Sequence, residues 1–234
     1  LAREPRPPLN VPVRAPVWTF DAGAPLWADL EAASGLVYAG GDDGVLHAID
    51  ARSGRERWRF ATGGRLRARP TLAASSLYVQ SDDGWLYRLD ASRGTQRWRV
   101  RLLPDSVVRV PIDRPGSKYD FTSSAVTVSG GMLFVGTHEG RVLALDPVTG
   151  ETVWEARTGG PVLAAPGVAG RRVFVGSYDG SVRALDAYDG RTLWTRDTGA
   201  PVTSTPVPDE GVVVVGSRSY DLFGLDAATG DVRW

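Results

Sequence analysis

The chain has 234 residues, 42% of them hydrophobic, enough to bury a large core, and its 27 lysines and arginines balance 27 aspartates and glutamates. Neutrality removes any whole-chain attraction to nucleic acid or to an anionic membrane. The absence of cysteine removes disulfides, thiolate metal sites and thiol nucleophiles, and no run of about 18 apolar residues predicts a transmembrane segment within the chain.

The balance hides an asymmetry. Residues 1–118 carry 18 basic and 13 acidic side chains, residues 119–234 carry 9 and 14. A dipolar surface and simple charge drift between solvated repeats both account for it.

In chain order, residues 1–15 contain four prolines and no alternation, and read as a proline-rich N-terminal arm without the apolar region of a signal peptide. From Pro16 the pattern changes. Val17-Trp18-Thr19-Phe20-Asp21 resembles Arg57-Trp58-Arg59-Phe60-Ala61, so a single strand at 16–21 precedes the first full unit. Short runs rich in Val, Tyr, Trp and Leu then follow, punctuated by glycine, and predict strands at 24–33, 35–41, 44–50 and 55–61. Equivalent units span 64–101, 120–157, 160–197 and 200–234.

The turn between the second and third strands carries Asp43-Gly44, Asp83-Gly84, Glu139-Gly140 and Asp179-Gly180. These pairs suit a two-residue hairpin turn with positive φ angles. The last unit has Ser219-Tyr220 instead, and tyrosine is a poor left-handed residue, so a different geometry and a role in contact are expected there.

Between the third and fourth strands, Asp, Gly and Trp recur four residues apart: Asp50/Gly54/Trp58, Asp90/Gly94/Trp98, Asp146/Gly150/Trp154, Asp186/Gly190/Trp194 and Asp226/Gly230/Trp234. The aspartate is expected to accept hydrogen bonds from its own turn, the glycine to take the left-handed conformation, and the indole to fill the gap between neighbouring sheets. Four-stranded units at a period of about 40 residues describe the blades of a β-propeller.

Two irregularities break the rhythm. Sixteen extra residues separate Asp90 from Asp146, placed as an insertion at 103–118, between one blade's outer strand and the next blade's inner strand. They nominate Arg109, Asp113, Arg114 and Lys118 as partner-binding residues. The chain also ends at Trp234, inside a fourth strand. It therefore reads as five blades of a seven- or eight-bladed ring, the alternative being a closed five-bladed ring in which Val17–Asp21 completes the last blade.

The Leu-Asp-x-x-Thr-Gly-x-x-x-Trp runs at 145–154 and 225–234 resemble the repeat of the quinoprotein-like (PQQ-like) β-propellers, with their tryptophan-docking motif. The likeness extends over residues 16–234. That family includes pyrroloquinoline-quinone alcohol dehydrogenases, the outer-membrane barrel-assembly lipoprotein BamB and extracellular sensor domains of membrane kinases. For a dehydrogenase it implies an aspartate base and a calcium ion held by Glu, Asn and Asp oxygens, often with adjacent cysteines over the quinone. This chain has no cysteine, and its single asparagine is Asn10.

Functional residues are therefore sought where the repeats differ. Aligned inner strands put Trp27, Arg67, Thr122, Leu163 and Thr203 at one level, and Asp29, Arg69, Ser124, Ala165 and Thr205 two residues on. Arg67 and Arg69 beside Asp29 would form a charged, aromatic-edged patch at the channel mouth; mutual pairing in a solvated channel is the alternative. The candidate partner- or ligand-binding residues are thus Trp27, Asp29, Arg67, Arg69, Ser124, Thr205 and Tyr220, with the four of the insertion. Neither His47 nor His138 has zinc-site spacing, and no catalytic or metal residue is nominated.

Taken with these features, the resemblance implies a non-catalytic, extracytoplasmic scaffold or protein-binding propeller similar to BamB, periplasmic or extracellular, with a protein partner, no nucleic acid and no cofactor. A membrane tether would lie outside the chain. The alternatives are a ligand-sensing propeller of a larger protein such as a membrane kinase, and a fragment of an alcohol dehydrogenase using PQQ with calcium.

Overall fold

The computed structural model describes residues 15–102 and 124–234. The insertion and its four candidates, Arg109, Asp113, Arg114 and Lys118, lie outside the described residues, as does Thr122.

The described chain is all-β. The first blade comprises β1 (Glu31–Ala33), β2 (Leu36–Gly40), β3 (Val45–Asp50) and β4 (Glu56–Ala61); the second β5 (Thr71–Ala73), β6 (Ser76–Gln80), β7 (Trp85–Asp90) and β8 (Gln96–Arg101). The third comprises β9 (Thr127–Ser129), β10 (Met132–Gly136), β11 (Arg141–Leu145) and β12 (Thr152–Arg157). The fourth has β13 (Gly167–Ala169), β14 (Arg172–Gly176), β15 (Ser181–Asp186) and β16 (Thr192–Asp197), and the fifth β17 (Val207–Asp209), β18 (Val212–Gly216) and β19 (Leu222–Asp226). Every sheet is an antiparallel meander in sequence order. Beyond β19, Val232 pairs with Leu225, and Gly224 exchanges backbone hydrogen bonds with Arg233 and Trp234. The edge of the last blade is thus covered by its own chain rather than by Val17–Asp21.

The inner strands are shorter than the sequence suggested. Residues 24–30 are irregular, and β1 begins at Glu31. The Pro25 carbonyl accepts from the Asp42 amide at 2.9 Å, so the chain here serves a neighbouring turn before it joins a sheet.

The hairpins also differ. Two-residue turns with positive φ at both positions join the first two strands of the first, third and fifth blades: Ser34 at 52° with Gly35 at 78°, Gly130 at 58° with Gly131 at 78°, Glu210 at 42° with Gly211 at 80°. In the second and fourth blades only the first position, Ala74 or Gly170, has positive φ. The second turn of each blade is longer. In the first, Gly44 donates to the Gly41 carbonyl at 3.1 Å and only Gly44, at 82°, is left-handed, while Asp43 caps the turn by accepting from the Val45 amide at 3.0 Å. Aspartate and glycine are used there as the sequence suggests, but in a turn followed by a bulge.

Among the described residues the core is divided into four clusters, each shared by two successive blades. Phe134, Val142 and Trp154 of the third blade pack with Val173, Val175 and Leu185 of the fourth. The repeated tryptophan closes each seam. The Trp154 indole N–H donates to the Ala187 carbonyl at 2.9 Å, and its ring lies where a Cβ on Gly190 would stand 2.6 Å away. Gly190 is also left-handed, at 72°. Trp18, Trp58, Trp98 and Trp194 make the same contact with the next repeat, at Ala51, Ala91, Pro147 and Ala227. Burial of one indole stabilises by on the order of 4–6 kcal/mol.

The motif glycines therefore carry more than the turn role expected of them. Gly54, Gly94, Gly150 and Gly230 are left-handed as anticipated, at 69°, 70°, 79° and 77°. Each is also the floor on which the tryptophan of the preceding repeat lies. A Cβ would stand 2.7 Å from the Trp18 ring at Gly54, 2.5 Å from Trp58 at Gly94, 3.0 Å from Trp98 at Gly150 and 2.6 Å from Trp194 at Gly230. Glycine and tryptophan of one motif thus face different neighbours, and the docking unit is built from two successive motifs. The innermost strands are stitched by threonines, Thr71 donating to the Val126 carbonyl at 3.0 Å and Thr127 to that of Pro166 at 2.7 Å.

Candidate functional site

At one end of the blades, the connection leaving one outer strand runs between two successive second turns. The Leu66 amide donates to the Gly41 carbonyl at 3.1 Å, and the Asp82 amide donates to the Arg65 carbonyl at 2.9 Å. The same ties recur from Val162 to Thr137 and from Tyr178 to Pro161, then from Val202 to Ser177 and from Arg218 to Pro201. Leu66, Val162 and Val202 are fully buried in the seam. The residue after each of them therefore enters the gap between two turns: Arg67 between those of Asp42 and Asp82, Leu163 between those of His138 and Tyr178.

Chemistry at this level differs from seam to seam. Arg67 Nε lies 3.2 Å from Asp82 Oδ2 and 3.9 Å from Asp42 Oδ1, with the side chain 2% exposed. Arg65 Nη1 stands 3.6 Å from Asp42 Oδ2. One buried guanidinium thus lies at ion-pair distance from two carboxylates. Between the third and fourth blades the position belongs to Leu163, buried without charge. Further on, the Arg218 guanidinium lies 5.5 Å from the centre of the Tyr178 ring.

Arg67 and Arg69 do not meet Asp29. The partner of Arg69 is Glu31, at 3.5 Å, and Asp29 is exposed. The expectation that residues two apart share a face fails because 67–69 precede the strand. Arg67 turns into the seam and Arg69 into solvent. Trp27 is 61% exposed beside Asp29, and Thr205 and Tyr220 are exposed on the fifth blade.

Ser124 is misplaced by one residue in the sequence alignment. It is 1% exposed; its hydroxyl donates to the Ala164 carbonyl at 2.9 Å and accepts from the Gly136 amide at 3.2 Å. Ser204 accepts likewise from Gly216, twelve residues on, at 2.9 Å. Ser124 therefore matches Ala28, Ala68, Ala164 and Ser204, and it seals a seam instead of facing a partner. The spacing of 56 residues between Asp90 and Asp146, carried from Ala68, would have found it.

Tyr220 departs from expectation too. It takes the left-handed conformation, φ 70°, that glycine takes in the other blades, and its turn is closed by the same type of bond, from the Ser217 amide to the Asp221 carbonyl at 3.1 Å. The turn survives, at the cost of strain in a fully exposed tyrosine.

The repeated aspartates face their own turns. Asp146 accepts from the Val148 and Thr149 amides at 2.7 and 2.8 Å, and Asp90 from the Ser92 hydroxyl at 2.7 Å and from Arg97 at 2.7 Å. Arg233, then the Ala228 and Thr229 amides, bring the Asp226 carboxyl down to about 2. Asp50, Asp90, Asp146 and Asp186 are also lowered, chiefly by hydrogen bonds within their turns. The glycines of the motif offer no binding surface either. Gly94, Gly150, Gly190 and Gly230 are buried and Gly54 half-buried, each against an indole.

A calcium-bound quinone does not fit these residues, because their oxygens are engaged locally. Among the described residues, no three His, Asp or Glu side chains converge as metal ligands. His47 is buried, its Nδ1 2.7 Å from Glu56 Oε1 and its ring edge-on to Phe20.

The family model described as outer membrane protein assembly factor BamB matches residues 9–119 and 109–234. The chain belongs to this BamB family of PQQ-like β-propellers. BamB of Alteromonas naphthalenivorans is 58% identical over 41 residues, which are 18% of this chain and 10% of that protein. The structure of BamB from Moraxella catarrhalis superposes with a TM-score of 0.78 at 22% identity, covering 93% of this chain and 66% of that one. The quinohemoprotein alcohol dehydrogenase of Comamonas testosteroni superposes at 0.74 with 18% identity, over 92% of this chain and 44% of the enzyme. The chain thus spans a tenth of the curated BamB and just under two thirds of the solved one, and the structural likenesses establish the propeller fold alone.

Proposed function

We propose that this propeller is a non-catalytic periplasmic scaffold that presents the face of second turns and inter-blade connections to a protein partner engaged in outer-membrane protein assembly. The observation that carries this reading is membership of the BamB family, whose described role is outer membrane protein assembly. The surface supports it. Trp27 and Tyr220 are large, exposed aromatics on that face, at positions where the repeats differ, and aromatic anchors supply much of the energy of protein interfaces. Holding tyrosine at φ 70° costs stability that contact with a partner offsets.

The test is site-specific photocrosslinking in cells, with the reactive group placed at Trp27 or at Tyr220. Crosslinks to a component of the outer-membrane assembly machinery, absent when the group is placed at Leu193 on an outer strand, are expected. Quinone-dependent alcohol oxidation by the purified protein, with no such crosslinks, would replace the scaffold reading with the dehydrogenase one.

A further inference from the structure

The outer rim of the first two blades carries an excess of positive charge. Residues 51–61, which run from the motif turn through β4, hold four arginines and one glutamate, and 91–101, through β8, hold four arginines and no acid. The equivalent stretches are mixed: one arginine and two glutamates in 147–157, two arginines and two aspartates in 187–197, one of each in 227–234. Neutrality of the whole chain conceals this local excess.

Protection of an exposed edge strand requires charge, which explains why outer strands are polar. It does not require a single sign, and the later blades manage with both. Seven of the eight arginines are exposed. Among the described residues, Arg52, Arg55, Arg59 and Arg93 form no ion pair. Arg99 and Arg101 flank the Trp85 ring, 4.3 and 5.1 Å from its centre. Between the two rims an open cleft of about 920 Å³ is lined by Ser34, Leu36, Arg52, Arg57 and Ser92, together with Asp50, whose Oδ2 lies 3.4 Å from Arg57. Like charges gathered on adjacent blades repel one another, and an anionic partner turns that repulsion into binding.

We infer that the outer rim of the first two blades docks on an anionic phospholipid surface. Breadth selects the bilayer. The arginines extend over turns and outer strands of two blades, and a sheet of phosphate headgroups meets both rims together. An acidic peptide strand would engage one edge only. Guanidinium forks pair with phosphate oxygens, the cleft admits a headgroup beside Arg52, and Arg–Trp stacks such as that at Trp85 suit the membrane–water boundary. This rim is distinct from the turn face assigned to a protein partner, so one molecule can engage both.

Co-sedimentation of the full chain with vesicles tests the inference, using pure phosphatidylcholine against phosphatidylcholine mixed with phosphatidylglycerol. Binding is expected to the anionic vesicles alone and to weaken at high salt. Replacing Arg52, Arg55, Arg59 and Arg93 by glutamine should weaken it by about tenfold or more with an unchanged melting temperature. A control variant, Arg157→Gln with Arg191→Gln, should bind as the parent does. Discrimination between the two vesicles by the parent protein stands by itself if the fourfold variant misfolds. Equal binding to neutral vesicles, full binding by a folded fourfold variant, displacement by soluble glycerol phosphate at matched phosphate, or preference for polyglutamate over vesicles would overturn it.

Discussion

The seam between the first two blades and the seam between the third and fourth use one backbone framework and opposite chemistry. Arg67, Asp42 and Asp82 correspond by repeat position to Leu163, His138 and Tyr178. Arg67 is 2% exposed and held by carboxylates on both flanking turns; Leu163 is buried without them. Backbone ties fix where the connecting chain runs in both, through Leu66 to Gly41 and through Val162 to Thr137. Packing of the tryptophans is likewise shared, with Tyr38 against Trp58 at 5.8 Å and Phe134 against Trp154 at 5.9 Å between ring centres. The repeat thus builds the seam from backbone and tryptophan, and leaves one buried position free to vary between ionic and apolar.

That contrast makes an asymmetric prediction for substitutions. Arg67→Leu alone leaves two carboxylates facing each other in a closed seam and should destabilise by about 3–5 kcal/mol. The triple replacement Asp42→His, Arg67→Leu and Asp82→Tyr copies the later seam, and should bring stability to within about 1 kcal/mol of the parent, because a buried ion network and its apolar substitute are often equivalent. Urea titrations of the parent and both variants measure this. Equal losses for single and triple variants would show that the two seams are not interchangeable frameworks.

Acid provides a second, smaller probe. Every motif aspartate has its carboxyl lowered, Asp50, Asp90, Asp146 and Asp186 chiefly by hydrogen bonds of their own turns, and Asp226 to about 2, first by Arg233 and then by its turn. A carboxyl lower in the folded than in the unfolded chain contributes stability that is complete above the unfolded value, about 4, and is lost as pH falls through the folded one. Melting temperature should therefore drop between about pH 4 and pH 2, and by similar amounts in the parent and the triple variant, since all five turns are common to both. A fall confined to the parent would move the acid sensitivity from the motif turns to the seam at Arg67.

These two seams also mark where sequence reasoning succeeds and where it stops. The Asp-Gly-Trp unit was legible because its consequences are local: the aspartate binds amides two and three residues on, and the glycine adopts positive φ within the same turn. Its long-range half was legible only as an indole between neighbouring sheets; the seat of that indole was not, since the ring that covers Gly94 or Gly150 comes from Trp58 or Trp98 of the preceding repeat. The partners of Arg67 were not legible for the same reason. Asp42 lies 25 residues before Arg67 and Asp82 lies 15 after it, and they meet only because two blades close on one connection. Facing directions in 24–30 and 65–70 were misread because alternation applies to strands, and the inner strands begin only at Glu31 and Thr71. Ser124 slipped by one residue because the inserted stretch obscured the register, and one residue is enough to exchange a buried position for an exposed one.

The smallest effect concerns Tyr220, where the comparison passes from the seams to the turns above them. Gly44, Gly84, Gly140 and Gly180 occupy the left-handed end of the same turn in the other blades, and Tyr220 adopts φ 70° with no buried surface to repay it. Tyr220→Gly should therefore stabilise the isolated protein by about 1 kcal/mol, because an L-residue with a Cβ is strained there and glycine is not. If Tyr220 anchors a partner, the glycine variant gains stability in a thermal melt and loses the photocrosslinked species when the reactive group is placed at Trp27. A variant that is both more stable and fully competent in that crosslink would show that the tyrosine is tolerated and not used.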